Sequence, residues 1–510
     1  MNGARRILII GSGFGGLGLA IRLKRAGIDT FTILEKDATL GGTWRDNTYP
    51  GAACDVPSML YSFSFEPKTD WSRKWSPQAE IHAYMEECAR TNDILPHIRF
   101  GVEVAGARFD ETRGTWTVRT PAGEELVADV LVSSVGQLHR PQIPKIAGID
   151  AFRGPSFHSA RWRHDVDLAG KRVGVIGNAA SAIQFIPEIA KAAGRLTIFQ
   201  RSANWMIARG DRPFRPWEHW VLEHVPGALR AYRAFLWGFA ELLLYPVMRR
   251  QPMLARVYTK WALDNLNDHV VDPELRARLT PDYPIGGKRI LIHDDFFPAL
   301  NRPNVDLVTT PIARVAENGV VTADGAAYPC DVLIFATGFR TSPFLAPMTL
   351  EGVGGRSLEA DWAHGARAYF GLTMTGYPNL FMLYGPNTNL GHNSIVFMLE
   401  CQIAYVLDAI RWLIEDDLAY VDLKPEVMEA FNERLQRDLA GTSWAAAPES
   451  WYKDAGRITS NWPYSTFEYW RRTRALVHAD YRAEPRRSAS SGDDARGGIT
   501  SGAATRSAAA

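Results

Sequence analysis

Two glycine-rich segments, each between short apolar runs, constrain the fold of this 510-residue chain more than any other feature. The first spans residues 7–36 and reads ILIIGSGFGGLGLAIRLKRAGIDTFTILEK. An apolar run, a Gly-x-Gly-x-x-Gly turn, a helical stretch and a second apolar run in this order are typical of a dinucleotide-binding βαβ unit. In such a unit Gly11 permits the tight turn, Gly13 lets a pyrophosphate approach the backbone, and Gly16 lets helix and strand pack closely.

The same pattern recurs at residues 171–202, KRVGVIGNAASAIQFIPEIAKAAGRLTIFQRS. Gly177 occupies the place of the first glycine, while Ala179 and Ala182 replace the second and third. Each added methyl group slightly narrows the pyrophosphate approach or the helix packing. A second dinucleotide unit is therefore predicted, and a unit that has lost its nucleotide remains an alternative.

In each of the two units, the residue at the end of the second predicted strand indicates which dinucleotide binds. Glu35 follows Gly11 by 24 positions, and Arg201 follows Gly177 by 24 positions. A carboxylate accepts hydrogen bonds from a ribose diol and repels a 2′-phosphate, whereas a guanidinium attracts that phosphate. We therefore predict that the first unit binds FAD and the second binds NADPH.

The chain is predicted to be an α/β protein with two Rossmann-like dinucleotide-binding domains, of which the FAD domain is discontinuous in sequence. DVLIFATGF at residues 331–339 resembles the segments that lead back to the FAD domain in other two-dinucleotide flavoproteins. The predicted division is an FAD domain at 1–145, an NADPH domain at 146–338 with a helical insertion at about 205–285, a return to the FAD domain at 339–482, and a disordered tail at 483–510 rich in Ala, Ser, Gly, Arg and Asp.

Composition excludes several classes of partner. The net charge of +1, without a local run of basic residues, excludes a nucleic-acid-binding protein. The four cysteines are widely scattered, so we expect no metal site and no dithiol centre but reduced thiols in the cytoplasm.

No secretory signal is expected at the N-terminus. The apolar run at residues 235–248 is too short to span a membrane, which favours a buried helix over a membrane-surface helix.

A segment between the two units carries a more specific pattern. FRGPSFHSARWR at residues 152–163 places Phe152, Gly154, His158 and Trp162 at fixed spacing. This segment resembles the fingerprint of type I Baeyer-Villiger monooxygenases, flavoenzymes that insert one oxygen atom of O2 beside a ketone carbonyl. The one departure is Arg163, where the family has Pro or Asp.

A second pattern of that family is matched at every defined position. GGTWRDNTYPGAACD at residues 41–55 carries its Gly, Trp, Tyr, Pro, Gly and Asp. The resemblance extends from the first βαβ unit to about Trp470. Within the family, GPNTNLGHNS at 385–394 and the segment at 450–470 resemble the branch that includes 4-hydroxyacetophenone monooxygenase.

The resemblance implies roles for individual residues. Arg289 is the expected catalytic cation, and Asp55 orients it. Lys288 is expected at the NADPH 2′-phosphate, and His158 in domain movement and NADPH handling. The further residues expected to contact the cofactors are Gly42, Thr43, Trp44, Tyr61 and Val104 around FAD, and Asn178, Ser181 and Ser202 around NADPH.

The reaction that the resemblance implies begins with the reduction of FAD by NADPH. Addition of O2 at the flavin C4a carbon gives a peroxide that attacks an aryl, cyclic or aliphatic ketone, and an ester or lactone is released. A guanidinium is needed because it favours the peroxide anion and the alkoxide formed on addition. One alternative is an N- or S-oxygenating flavin-containing monooxygenase, and another is a non-catalytic flavin-binding redox sensor. The sequence leaves the natural ketone and the oligomeric state open.

Overall fold

The computed structural model describes residues 5–446 and 452–486 of the chain. Up to residue 145 the strands are β1 (Ile7–Ile10), β2 (Phe31–Glu35), β3 (Ile98–Phe100), β4 (Gly106–Asp110), β5 (Thr115–Arg119), β6 (Glu125–Ala128) and β7 (Val130–Ser133). The helices of this part are α1 (Phe14–Arg25), α2 (Thr43–Asp46) and α3 (Gln78–Thr91).

The middle of the chain, up to residue 338, has ten further strands: β8 (Ser156–His158), β9 (Arg172–Ile176), β10 (Arg195–Phe199), β11 (Met206–Ile207), β12 (Leu291–Ile292), β13 (Val305–Val308), β14 (Ile312–Ala316), β15 (Gly319–Thr322), β16 (Ala327–Pro329) and β17 (Val332–Phe335). Its helices are α4 (Ala182–Ile189), α5 (Pro216–His224), α6 (Ala228–Phe239), a π-helical turn (Ala240–Leu244), α7 (Tyr245–Met248), α8 (Pro252–His269), α9 (Pro273–Leu279) and α10 (Phe296–Leu300).

The last part of the chain is mainly helical. Its strands are β18 (Thr349–Glu351), β19 (Leu380–Met382), β20 (Leu418–Leu423), β21 (Lys453–Asp454), β22 (Arg457–Ile458) and β23 (Tyr481–Pro485). Its helices are α11 (Leu358–Asp361), α12 (Ile395–Glu415), α13 (Pro425–Ala440), α14 (Ser443–Ala446) and α15 (Thr466–Thr473).

The first large sheet has the order β19-β7-β1-β2-β3, and all of its pairings are parallel. Every residue of β1 and β7 is buried, as expected for parallel strands that are covered on both faces. Strand β19 joins this sheet from the last part of the chain, after the second sheet is complete. The predicted discontinuous first domain is therefore confirmed.

The second large sheet has the order β13-β10-β9-β17-β8 and is also parallel throughout. Helix α4 follows β9 as α1 follows β1, which is the predicted repeat of the βαβ unit. A core of its own, formed by residues such as Val175, Ile186 and Ile198, supports this sheet. Strand β8 at its edge carries the segment from Ser156 to His158.

A helical insertion lies between β11 and β12 and contains α5 to α9. The apolar run at residues 235–248 falls on α6, the π-helical turn and α7. One side of this run is buried, for example at Val247 and Met248, but Phe235 and Leu242 are exposed. The interpretation as a buried helix is therefore correct for one side only. Within residues 5–446 and 452–486, no helix has both the length and the apolar character that a membrane crossing requires.

The first residues of the predicted disordered tail form a strand. Strand β23 pairs antiparallel with β20 up to Pro485, with Val421 opposite Ala483. The prediction of disorder from residue 483 onward is thus wrong for residues 483–485. Hydrogen bonds of the backbone to β20, which do not depend on apolar side chains, order this segment. The rest of the predicted tail, residues 487–510, lies outside the described residues.

Candidate active site

The two parallel sheets turn their carboxyl ends toward one cavity of about 1610 Å³. Residues at or directly after the ends of β1, β2, β7, β9, β10 and β17 line this cavity. Ligands of doubly wound α/β proteins bind at this edge of the sheet. The volume exceeds that of an ordinary small-molecule pocket, about 300–1,000 Å³, and leaves room for two dinucleotides.

Most of the residues that the sequence assigns to the site lie in the wall of this cavity. Gly16 and His158 do not. The predicted residues that line the cavity are Gly11, Gly13, Glu35, Gly42, Thr43, Trp44, Asp55, Tyr61, Val104, Gly177, Asn178, Ser181, Arg201, Ser202, Lys288 and Arg289.

The first glycine turn has the shape that a pyrophosphate requires. Gly11 has a φ of +99°, in the region that favours glycine. A Cβ atom on Gly16 would lie 2.0 Å from the carbonyl oxygen of Gly11, so only glycine lets α1 pack this closely. A Cβ atom on Gly13 would meet nothing within 4 Å, so this position borders open space. The turn therefore fits the phosphates of a dinucleotide beside the N-terminus of α1.

Glu35 at the end of β2 is buried and already holds the turn together. Its Oε2 accepts hydrogen bonds from the backbone N of Ser12 at 3.0 Å and from Ser12 Oγ at 2.6 Å. Its Oε1 accepts a hydrogen bond from Arg45 Nη1 at 3.0 Å. The carboxylate thus fixes the turn at Ser12 relative to the loop that carries Arg45, a contact that the sequence did not indicate.

The segment at residues 41–55 packs directly on the first glycine turn. A Cβ atom on Gly42 would lie 3.4 Å from the Cα of Gly13, so the two motifs meet here. Trp44 donates from Nε1 to the hydroxyl of Tyr61 at 3.1 Å. Burial raises the pKa of Tyr61 well above its ordinary value, so its hydroxyl stays protonated. These side chains form an aromatic wall beside the turn.

Two positively charged side chains, Lys288 and Arg201, lie in the cavity wall near the second glycine turn. Gly177 has a φ of +105°, and Asn178 Nδ2 donates to Gln200 Oε1 at 2.6 Å. Lys288 Nζ donates to Ser202 Oγ at 2.9 Å. Arg201 is exposed in the same part of the cavity wall. Two cations therefore lie at the end of the cavity where the sequence predicts a 2′-phosphate.

Arg289 and Asp55 form an ion pair in the cavity wall, although 234 positions separate them in sequence. Asp55 Oδ2 accepts from Arg289 Nε at 2.8 Å and lies 2.7 Å from Nη2. The side chains are 35% and 28% exposed, so the pair faces the cavity. The charge of Asp55 is the main cause of a raised pKa at Arg289, which therefore stays protonated at any working pH.

His158 lies beside the cavity rather than in its wall. The side chain is buried at the end of β8, and its ring packs against Phe339 with the centroids 5.7 Å apart. Burial lowers the pKa of His158 to about 4, so the imidazole is neutral. Because Nδ1 accepts a hydrogen bond from the backbone N of Ala160 at 3.1 Å, the proton resides on Nε2.

Several lining residues were not selected from the sequence. Gln184 accepts a hydrogen bond from the hydroxyl of Tyr49 at 3.0 Å and donates to Ala53 O at 2.9 Å, which ties the 41–55 segment to α4. The hydroxyl of Tyr384 donates to Asn389 Oδ1 at 2.7 Å. The run of asparagines in GPNTNLGHNS was the available signal, since polar amides in an apolar context require hydrogen-bond partners.

Behind this wall lies a buried carboxylate, Glu241 of the π-helical turn. Asn393, which lines the cavity, donates from Nδ2 to Glu241 Oε1 at 2.7 Å. Thr466 Oγ1 donates to the same oxygen at 2.6 Å, and His392 Nε2 lies 3.3 Å from it. Burial acts to raise the pKa of Glu241, but these partners outweigh burial and lower it. The ionised carboxylate therefore joins the helical insertion to the last part of the chain.

A family model described as FMO-like, flavin-binding monooxygenase-like, matches residues 4–351. This chain belongs to the flavin-binding monooxygenase-like family. A Baeyer-Villiger monooxygenase of Streptomyces coelicolor is 43% identical over 480 residues, which cover 94% of this chain and 92% of the relative.

Solved structures of monooxygenases are also similar to this chain, at lower sequence identity. A steroid monooxygenase bound to NADP superposes with a TM-score of 0.84 at 31% identity, over 94% of this chain and 100% of its own. OTEMO in complex with FAD and NADP superposes with a TM-score of 0.85 at 28% identity, over 95% of this chain and 100% of its own. The predicted resemblance and the predicted fold class are confirmed.

Proposed function

We infer that this chain is an FAD-containing, NADPH-dependent Baeyer-Villiger monooxygenase, an oxidoreductase that converts a ketone and O2 into an ester or lactone. The observation that carries this conclusion is the Arg289–Asp55 ion pair, which lies in the wall of a cavity shared by two dinucleotide turns. The similarity to named Baeyer-Villiger monooxygenases along nearly the whole chain supports the same activity.

We assign each cofactor to one turn. FAD belongs at the first turn with Gly11, Gly13, Glu35, Gly42, Thr43, Trp44, Tyr61 and Val104, where a carboxylate and an aromatic wall suit a ribose and a flavin ring. NADPH belongs at the second turn with Gly177, Asn178, Ser181, Arg201, Ser202 and Lys288, where two cations suit a 2′-phosphate. When bound, FAD reduced by NADPH supplies the activated oxygen for the reaction.

Arg289 acts on the negative charge that develops on the ketone oxygen. Its guanidinium remains charged because Asp55 raises its pKa. Asp55 engages Nε and Nη2, which uses two of the five N–H groups of the guanidinium and leaves those of Nη1 and the second one of Nη2 for a ligand. A donor fixed in this way needs little reorganisation during the reaction, which is how a preorganised site lowers a barrier. Asp55 is therefore a positioning residue for Arg289.

Three further residues support the site. Tyr384 lines the cavity, and its hydroxyl, whose pKa is raised by burial, stays protonated and holds Asn389 of the same wall in place. His158 lies outside the cavity wall, so we assign it to domain movement and NADPH handling rather than to proton transfer. Gly16 acts through the packing of α1.

The cellular setting is part of the proposal. All four cysteines, Cys54, Cys88, Cys330 and Cys401, are free and buried, and scattered thiols of this kind support a cytoplasmic location. The substrate is an aryl, cyclic or aliphatic ketone that fits the part of the cavity beside Arg289.

The test is product formation by the flavin-loaded protein under ¹⁸O₂ with NADPH and simple aryl or cyclic ketones. We expect an ester or lactone that carries one labelled oxygen. Arg289→Ala is expected to lose about 10²–10³-fold in ester formation with its flavin content unchanged, since one oxyanion donor contributes this much. Arg302→Ala, at an exposed arginine, is the matched control.

Two results would contradict the proposal. Undiminished ester formation by the Arg289→Ala protein would remove this residue from the reaction. Oxidation of sulfides or amines without any ester from ketones would instead indicate the N- or S-oxygenating alternative, which does not need Arg289.

A further inference from the structure

The outer side of the helical insertion exposes a continuous apolar stripe. On α6 and the π-helical turn, Phe235, Phe239 and Leu242 are 64%, 44% and 73% exposed. Spacings of four and three positions place these side chains on one face of the helix. Ala231, one turn earlier, is also exposed. The stripe therefore covers three helical turns.

A second stripe lies on α8. Met253, Val257 and Trp261 are 64%, 37% and 49% exposed and follow one another at intervals of four. Helix α8 packs against α7, which continues the helix that carries the first stripe. Exposed apolar side chains that occur singly are normal, but aligned stripes on neighbouring helices mark an interaction surface.

A groove lined by cations adjoins the second stripe. Arg250, Arg256 and Lys260, together with one acid, Asp264, line a cavity of about 580 Å³ at the junction of α7 and α8. Lys260 is paired with Asp264 at 2.6 Å. Phosphate groups are the anions that two neighbouring arginines suit best.

The charge of the surrounding surface has one dominant sign. Between residue 215 and the end of α8 at residue 269, the exposed Lys, Arg, Asp and Glu residues are five cations and two acids: Arg215, Arg230, Arg250, Arg256, Lys260, Glu223 and Asp268. The whole chain, in contrast, is almost neutral at +1. Apolar stripes bordered by cations are the surface that an anionic lipid layer complements.

We propose that the helical insertion docks on the surface of a bilayer that contains anionic lipids. The stripes on α6 and α8 enter the boundary between headgroups and acyl chains, and Arg250 and Arg256 contact lipid phosphates. A second copy of this chain fits less well, since a two-fold contact places the same patch against itself and would oppose its cations. This property is separate from the proposed reaction, and its test does not depend on activity.

The experiment is co-sedimentation of the full-length, flavin-loaded protein with two kinds of vesicle. One kind is phosphatidylcholine alone, and the other contains phosphatidylglycerol in addition. We expect binding to the second kind only, and weaker binding as salt is added. Replacement of both Arg250 and Arg256 by Gln is expected to weaken binding about fivefold per arginine. Replacement of Phe235, Phe239 and Leu242 by Ser is expected to weaken it more than tenfold.

Matched control variants test whether the loss of vesicle binding is specific to this surface or follows from substitution of any exposed side chain. Leu95→Ser with Phe100→Ser, both exposed elsewhere, and Arg113→Gln with Arg302→Gln are expected to bind as the wild type does. Retained flavin verifies the fold of each variant. Absence of binding to phosphatidylglycerol vesicles, or equal binding to both kinds at all salt concentrations, would overturn the proposal. The proposal would also be overturned if light scattering showed a dimer that the three serine substitutions dissociate. The stripe would then bind a second copy of this chain.

Discussion

Removal of the Asp55 carboxylate by Asp55→Ala tests whether Arg289 depends on its partner. The carboxylate accepts from Nε at 2.8 Å and lies 2.7 Å from Nη2. Charge-assisted hydrogen bonds contribute about 1.5–3 kcal/mol each. Since the side chains are 35% and 28% exposed, solvent screening reduces the net contribution of the pair to about 1–2 kcal/mol. We expect kcat/KM for the ketone to fall about 5- to 30-fold.

The assay is steady-state ester formation together with the ratio of ester formed to NADPH consumed. Asp55→Asn keeps one acceptor oxygen, so its loss is expected to be the smaller of the two. Asp55→Ala combined with Arg289→Ala is expected to be no worse than Arg289→Ala alone, because a residue that acts through Arg289 has nothing left to position. If the two losses multiply in the double variant, Asp55 has a function of its own and the reasoning is refuted.

Three other substitutions test separate parts of the structure. Lys288→Gln is expected to raise the KM for NADPH roughly tenfold and to leave that for NADH unchanged, because the lost cation faces only the 2′-phosphate; equal effects on both would contradict this. Glu241→Gln, with exposed Glu223→Gln as control, is expected to lower the free energy of unfolding in urea by about 1–3 kcal/mol, since three residues, Asn393, Thr466 and His392, contact the buried carboxylate. A loss below about 0.5 kcal/mol, typical of surface sites, would refute its structural role. His293 has its pKa lowered by burial from 6.5 to about 4. Between these values the unfolded chain binds a proton that the folded chain does not, so stability falls as the pH falls through this window. His293→Gln is expected to remove up to ~2–3 kcal/mol of that decrease, and an unchanged pH dependence of unfolding would contradict the assignment.

Local patterns in the sequence were sufficient for the two dinucleotide units. The strand, glycine turn and helix at Gly11 and at Gly177 follow from apolar periodicity and backbone sterics within about 30 residues. The pairing of Asp55 with Arg289 has a different origin. No local pattern joins positions so far apart, and the expectation came from resemblance to a family.

Contacts between distant segments were missed for a physical reason. Tyr49 contacts Gln184, and Asn393 contacts Glu241, only after helices and loops from different parts of the chain have packed together. The sequence also favoured burial for residues 235–248, because composition alone does not distinguish the inner from the outer side of a helix in a long apolar run. The end of strand β23 was not predicted because its order comes from backbone pairing with β20, which leaves no pattern of apolar side chains in the sequence.

Strand β19 of the first sheet comes late in the sequence, which affects the order in which the two sheets can form during synthesis. Residues 380–382 pair with β7, so a ribosome has made about three quarters of the chain before this sheet can close. The second sheet needs nothing beyond Phe335 and can fold while synthesis continues. At that stage the strands of the second sheet are all present, whereas the first sheet still has β7 as an unpaired edge strand, the kind of edge at which a chain can pair wrongly.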